Sequence, residues 1–403
     1  MSSDARLFDV AAFRAGFPSL ESGIAHFDNP GGTQTPAVVG EAIARTLTGP
    51  LSQRGSLLVS LRNAEASVAG FRSAIADLVG GVPGGVVHGR SATALTYDVS
   101  RTLSKTWGPR DEVVVCELDH DSNVRPWIQA AERAGATVRW LRLDPATGEL
   151  DLSSLDAITD RTRVVAMTAA SNLIGTRPPV ATVAERAHEV GALVHVDAVH
   201  HTAHAAPDMA AMGADLLVCS PYKFFGPHCG ALVADPALLE TLRPDKLLPS
   251  SDAVPERFEL GTLPYELLAG VTAAVDLIAS LGTGSSRRER LVSAAASIAG
   301  HELRLRRRIE DGLADLSDHL TLHSRAADRT STLFLTLRDR SPLDAHAFLA
   351  ECDVMVPPGT FYAVETFRAL DLPVDSGLRI GLAAYNDDAE VDRLLEGLAA
   401  FLS

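Results

Sequence analysis

An acid and an amine are the residues whose types and placement could do chemistry here. They are Asp197 and Lys223, in the stretch ALVHVDAVHHTAHAAPDMAAMGADLLVCSPYKFFGPHCG, Ala192–Gly230. The apolar runs Ala192–Val196 and Leu216–Cys219 are brief, rich in Val and Leu, and bounded by polar residues or Gly, which predicts two buried strands. The first ends on Asp197, and the second runs out at Ser220 just before Lys223. Residues past the carboxyl ends of strands line the ligand crevice of an open α/β sheet, so both groups are expected in one crevice.

Lysine usage sharpens the expectation. The chain has three lysines, Lys105, Lys223 and Lys246, and 33 arginines among its 36 basic residues. Arg is permanently charged, whereas a desolvated Lys amine can lose its proton and attack a carbonyl. Lys105 lies in an amphipathic helix pattern and Lys246 in a Pro-flanked loop, so both read as surface residues. Lys223 sits between Tyr222 and Phe224-Phe225, apolar company for an ammonium. A lysine snorkelling at a sheet edge is the plain alternative.

Composition sets bounds. With 403 residues, 46% of them hydrophobic and 22% charged, the chain can bury a large α/β domain and a smaller one. A net charge of −15 argues against nucleic acid or an acidic membrane surface as partner. The four cysteines, Cys116, Cys219, Cys229 and Cys352, have no CxxC spacing and read as reduced, mostly buried thiols. MSSDARLFDVAAF lacks the pattern of a signal peptide and no run is long enough to span a membrane, so a cytoplasmic location is expected.

The elements that must position the pair follow in regular order. Strands are predicted at Val86–His88, Glu112–Cys116, Thr137–Leu141, Val164–Thr168 and Gly230–Ala234, besides the two above. Helices are predicted at Leu7–Phe17, Pro36–Leu47, Leu57–Val79, from Ala92 to about Trp107, Val124–Ala134, Leu152–Thr159 and Val180–Val190. This alternation predicts a mostly parallel sheet covered on both faces. GGVPGG precedes a strand, whereas a dinucleotide fingerprint must follow one, so a Rossmann oxidoreductase is disfavoured. Long helices Pro264–Leu281 and Ser285–Leu316 lead to a smaller α+β domain. Its strands are expected at Leu320–Leu322, Leu333–Leu337 and Leu378–Leu382, its helices at Leu343–Glu351 and Ala389–Phe401. The hinge is expected at Gly282–Ser286.

VDAVHH followed by CSPYKFFGPHCG resembles the class V aminotransferase and cysteine desulfurase group of pyridoxal-phosphate enzymes, and most of all its cysteine desulfurase-like branch. The resemblance covers nearly the whole chain. It implies the aspartate aminotransferase-like fold: a large domain, residues 25–284, with a mostly parallel seven-stranded sheet, and a small α+β domain, residues 1–24 with 285–403. It also implies pyridoxal 5′-phosphate as cofactor, Lys223 forming an imine with its aldehyde, and Asp197 pairing with the pyridinium.

Further site residues are carried over position by position. Ala92 and Thr93, in a turn of small and hydroxyl residues at a helix start, match positions that hold the phosphate. Ser220 matches a phosphate-binding serine, and Tyr222 stands where desulfurases often have a histidine. His120 matches the histidine stacked on the cofactor ring, and Asn172 an asparagine near its phenolic oxygen. His200 replaces the usual glutamine and could donate to that same oxygen. Thr262 matches a threonine reaching the phosphate of a neighbouring subunit, which implies a homodimer with shared sites. Arg379 matches the clamp on a substrate α-carboxylate. An exposed edge-strand arginine, a surface histidine at 120 and a plain Ser91 helix cap are the structural alternatives.

A desulfurase needs a mobile-loop cysteine to accept sulfur. That position falls near Tyr362 in VPPGTFYA, and no cysteine follows Cys352. Sulfur relay is therefore disfavoured, and C–S cleavage of a cysteine-type amino acid by elimination is expected, with aminotransfer and epimerisation as alternatives. His200 and His204 have the i, i+4 spacing of a zinc pair, but the HExxH glutamate is missing and the segment directly follows a strand, so no metal is expected. A zinc hydrolase and a non-catalytic scaffold are the readings outside this cofactor class.

Overall fold

The computed structural model of the chain describes residues 8–373 and 377–403. In chain order its strands are β1 (Ala25–His26), β2 (Val86–Gly89), β3 (Glu112–Cys116), β4 (Thr137–Leu141), β5 (Thr162–Thr168), β6 (Leu193–Asp197), β7 (Leu216–Cys219), β8 (Gly230–Ala234), β9 (Leu320–Leu322), β10 (Thr332–Leu337), β11 (Val354–Met355) and β12 (Gly377–Gly381). Seven of them form one sheet in the order β2-β8-β7-β6-β5-β3-β4. Only β8 runs antiparallel to its neighbours, so the expected mostly parallel seven-stranded sheet is present.

Helices on both faces explain why its central strands read as unbroken apolar runs. Val113, Val115, Val164 and Val218 pack with Trp127 and Leu95 on one face. Val114, Val165, Val194 and Leu217 pack with Phe71, Ile75, Val183 and Val271 on the other. Adjacent residues of a strand thus serve opposite cores, as the period of two demands.

Helix Arg287–Ala314 starts after the Gly282–Ser286 turn with a capping box between Ser286 and Glu289. It leads to a three-stranded sheet, order β12-β10-β9, whose core gathers Leu305, Leu335, Ile380 and Leu398. β1 pairs with β11, and Ala25 and Phe27 join this smaller core rather than that of the large sheet.

Two expected helices differ. Residues 152–159 form a 3-10 run, Leu152–Ala157, because Asp151 caps Ser153 N–H and Ser154 Oγ turns back to the Asp151 carbonyl. The expected helix at Leu7–Phe17 is Val10–Arg14, capped by Asp9 and halted before Pro18; Leu7 lies outside the described residues. Its Arg14 pairs with Glu390 at 2.9 Å, while Phe13 and Phe17 pack against Phe225 beside the lysine loop. Among the described residues no helix is long and apolar enough to cross a membrane.

Candidate active site

The carboxyl ends of β5, β6 and β7 and the amino end of helix Ala92–Ser104 open onto one cavity. Ala92, Thr93, His120, Asn172, Asp197, His200, Ser220, Tyr222 and Lys223 all line it. Nine residues spread over more than 130 positions therefore meet in one place.

Lys223 and Asp197 are buried in its wall and make no ion pair with each other among the described residues. Desolvation pulls the Lys223 amine down to about 7, helped by Arg379 and only partly opposed by Asp197. Desolvation likewise pushes the Asp197 carboxyl up to about 6 against the Val199 N–H and Lys223. Burial outweighs their mutual attraction in both, so the charged form of each is held less firmly than in water. The lysine amine donates to the Pro30 carbonyl, in the turn FDNPGG. This is a buried amine, not a snorkelling one. Lys105 and Lys246 make near-surface pairs with Asp245 and Asp252 instead. Lys105 sits just past its helix rather than within it.

Ser91 does cap helix Ala92–Ser104, accepting from Ala94 N–H at 3.1 Å. The first-turn amides of Ala92 and Thr93 are still without carbonyl partners inside the helix, so the Ser91 cap leaves them able to donate to an anion. Gly230 brings β8 against this turn. A Cβ on it would lie 2.4 Å from the Ser91 carbonyl carbon and 2.5 Å from Ala92 N, both backbone atoms. Gly230→Ala is therefore expected to cost about 1–3 kcal/mol by pushing the Ser91–Ala92 backbone out of place; denaturant unfolding of the variant checks it.

His120 is drawn down to about 4 by desolvation, with Lys223 and Arg379 adding to it. Its Nδ1 accepts from Ser122 N–H at 3.0 Å, so the neutral ring carries its proton on Nε2. Tyr362 lies over His120, centroids 5.3 Å apart and planes 30° apart. Tyr362 does not line the cavity; it is 71% exposed, at the mouth.

Arg379 stands on β12, an edge strand as the plain reading had it, but it is buried rather than exposed. Its Nη1 donates to the Asn172 carbonyl at 3.0 Å, and the guanidinium carbon lies 3.8 Å from the Phe361 ring centre. Its Nε has no partner, and desolvation pulls the group to about 9. Asn172 lines the cavity beside the arginine. One Nδ2 hydrogen goes to the Phe361 carbonyl at 2.9 Å, which leaves its second N–H and the acceptor Oδ1 unused.

His200 lines the cavity as well. Nε2 lies 3.0 Å from Thr332 Oγ1 and 3.2 Å from Thr330 Oγ1, while Nδ1 is buried without a partner. His204 is committed to Glu302. Among the described residues no group of three or more His, Cys, Asp or Glu is arranged to hold a metal. Thr262 is exposed and does not reach this cavity. Sequence reasoning missed Phe361, Thr168 and Pro30. Thr168 could have been found as the last residue of a predicted strand. Phe361 could not, since its placement depends on a left-handed backbone, φ 53°, at a non-glycine residue.

No cysteine lines the cavity, although Cys219 directly precedes Ser220 in its wall. Cys116, Cys219 and Cys229 are buried, and desolvation raises all three, Cys229 to about 12. Cys352, expected to open a strand, ends helix Pro342–Glu351 and packs half-buried against the smaller core.

Comparison with known proteins agrees with the fold. The family model for class V aminotransferases matches residues 25–394. An uncharacterised Mycobacterium tuberculosis protein is 32% identical, covering 98% of this chain and 99% of its own. A probable cysteine desulfurase of Streptomyces coelicolor is 29% identical over 97% of each chain. A cysteine desulfurase of an Enterobacter species is 31% identical over 77% of this chain and 79% of its own. The structure of the Escherichia coli cysteine desulfurase CsdA superposes with a TM-score of 0.86 at 24% identity, covering 98% of both chains, and shows the fold.

Proposed function

Since the chain belongs to the class V aminotransferases, we propose that its cavity holds pyridoxal 5′-phosphate and that it cleaves the C–S bond of a cysteine-type amino acid by β-elimination. Support for the cofactor comes from donors and acceptors left over in the wall: the buried amine of Lys223, the carboxyl of Asp197, the unpartnered Nδ1 of His200 and the amides at Ala92 and Thr93. Lys223 would take its carbonyl, Asp197 its ring nitrogen, and Ser220, Tyr222 and the helix start its phosphate. Bound there, it supplies an electron sink that weakens the bonds at the substrate Cα.

The chain's own residues supply the rest. An amine brought to about 7 can take and return a proton at Cα at neutral pH. The His120 Nε2–H, free while Nδ1 is engaged by Ser122, would protonate a departing sulfur, and the spare donors of Arg379 would hold the carboxylate. Elimination breaks Cα–H and Cβ–S, and with one water it releases a thiol, ammonia and pyruvate.

The observation that carries elimination over sulfur relay is that no cysteine lines the cavity or follows Cys352, the three nearer thiols being buried, and Tyr362 stands over His120 where a thiol would be needed. Product analysis on cysteine and S-alkyl cysteines tests it. Pyruvate, ammonia and thiol in equal amounts are expected. Alanine with protein-bound sulfur, or an oxo acid retaining sulfur, would replace this reading by desulfuration or aminotransfer. A second copy of the chain is the proposed partner, since Thr262, which the family uses toward a neighbouring subunit, is exposed two residues from exposed Leu260. Light scattering of the purified protein reads this out.

A further inference from the structure

Behind the cavity lies a buried pair that the proposed reaction does not use. His204, on the turn after β6, has its Nδ1 2.6 Å from Glu302 Oε2, and both side chains are almost wholly out of solvent. Glu302 sits on the long helix Arg287–Ala314. The other carboxylate oxygen, Oε1, has no partner. The His204 ring meets the His200 ring edge to face, centroids 4.9 Å apart and planes 73° apart. His200 in turn lines the cavity.

A carboxylate has no reason to be buried against a single histidine unless that contact does something, because desolvating it is costly and breaking such a contact leaves a stranded charge. Here the contact fixes one ring, and that ring fixes the next. Glu302 accepts from His204, so His204 must carry a proton on Nδ1 and cannot rotate about its Cβ–Cγ bond without losing the only partner of Oε2. The edge-to-face contact then bars His200 from swinging away from Thr330 and Thr332 on the β9–β10 side of the small sheet. Rotation of His200 by half a turn would exchange Nδ1 for the opposite ring edge at the cavity wall.

We propose that Glu302, acting through His204, is a positioning residue that holds the His200 ring in one orientation, with Nε2 on the threonine hydroxyls and Nδ1 left for whatever fills the cavity. The groups facing His200 are His204 and His201 from its own turn, Lys223 from the loop after β7, and Arg379 from β12. Each adds to the desolvation that disfavours a charge on His200, so it is a neutral donor or acceptor whose orientation decides what it offers.

The test rests on the proposed cofactor only in its second arm. Ring-nitrogen-labelled histidine spectra of the cofactor-free protein, with His200 identified by its loss in His200→Gln, are expected to show one His200 tautomer. Glu302→Leu, which fills the space without accepting a hydrogen bond, is expected to give mixed tautomers, and Glu302→Gln, which still accepts, to restore one. An unchanged His200 signal in Glu302→Leu overturns the proposal. Equal disturbance by Leu and Gln overturns it too, since negative charge rather than orientation is then the cause. If Glu302→Leu does not fold, His204→Phe is read against the same outcomes, with mixed tautomers expected.

In the second arm, the visible absorption of the loaded protein is titrated with pH. Glu302→Leu is expected to move the midpoint by about half a pH unit, and to move nothing in a His200→Gln background. A shift that persists in that background overturns the proposal. A chain that shows no visible band on loading speaks against the cofactor and leaves the first arm to decide the positioning.

Discussion

Lys223→Met is expected to abolish turnover while making the cofactor-free chain more stable. Activity should fall by at least roughly a thousandfold, because no neighbouring group can replace an amine that both attacks a carbonyl and moves a proton. Stability should rise because the parent carries a desolvated amine. Its proton affinity is brought from the ordinary 10.5 to about 7, chiefly by burial. Below pH 7 the amine is charged in both the folded and the unfolded chain, and the full desolvation cost is present, roughly 4–5 kcal/mol. Between 7 and 10.5 the folded chain has shed a proton that the unfolded chain still holds, so the cost fades as pH rises. Methionine matches the length of lysine and removes the cost, at the loss of one hydrogen bond to the Pro30 carbonyl, about 1 kcal/mol.

The net gain should therefore be about 3 kcal/mol at pH 6 and shrink by more than half at pH 9. Asp197, displaced from 3.8 to about 6, is still titrating at pH 6, so a third point at pH 7.5 separates its contribution from that of the amine. Denaturant unfolding of the two cofactor-free proteins at all of these pH values checks it. A difference that stays level from pH 6 to 9 would show that the amine is not desolvated.

The sheet was readable because burial on two faces writes itself into sequence as short Val-rich runs, and β3, β4, β7 and β8 begin and end where those runs do. The acid and the amine were readable for the same reason, each standing just past such a run. What hydrophobic pattern cannot encode is a position set by side chains satisfying one another. Asn172 follows a strand as expected, yet its bond to the Phe361 carbonyl is made with a loop 189 residues away. Residues 152–157 carry a helical pattern, but local Asp and Ser hydrogen bonds tightened it to a 3-10 run. Arg379 shows the limit most plainly. An edge strand predicts exposure, and only the packing of the Phe361 loop across it produces burial.

That burial makes Arg379 the source of the second large effect. A guanidinium taken out of water, stacked on a ring and bonded by one nitrogen to the Asn172 carbonyl has donors to spare, with Nε among them unpartnered. The planar fork suits a carboxylate, which can take two parallel hydrogen bonds and return the charge that burial removed. Arg379→Met is therefore expected to lower kcat/KM for an amino-acid substrate by about 10²–10³-fold. A structural loss of the same size would be indiscriminate, so the substrate supplies the control. In the parent enzyme, replacing the substrate carboxylate by its amide should cost nearly as much as the mutation does. In Arg379→Met, acid and amide should react alike, since the group that told them apart is gone. Arg379→Lys should recover little, because a single ammonium cannot make the paired contact. If the variant still prefers the acid by the parent's ratio, the carboxylate is held elsewhere, and the free amide oxygen of Asn172 beside it would be facing some other part of the substrate.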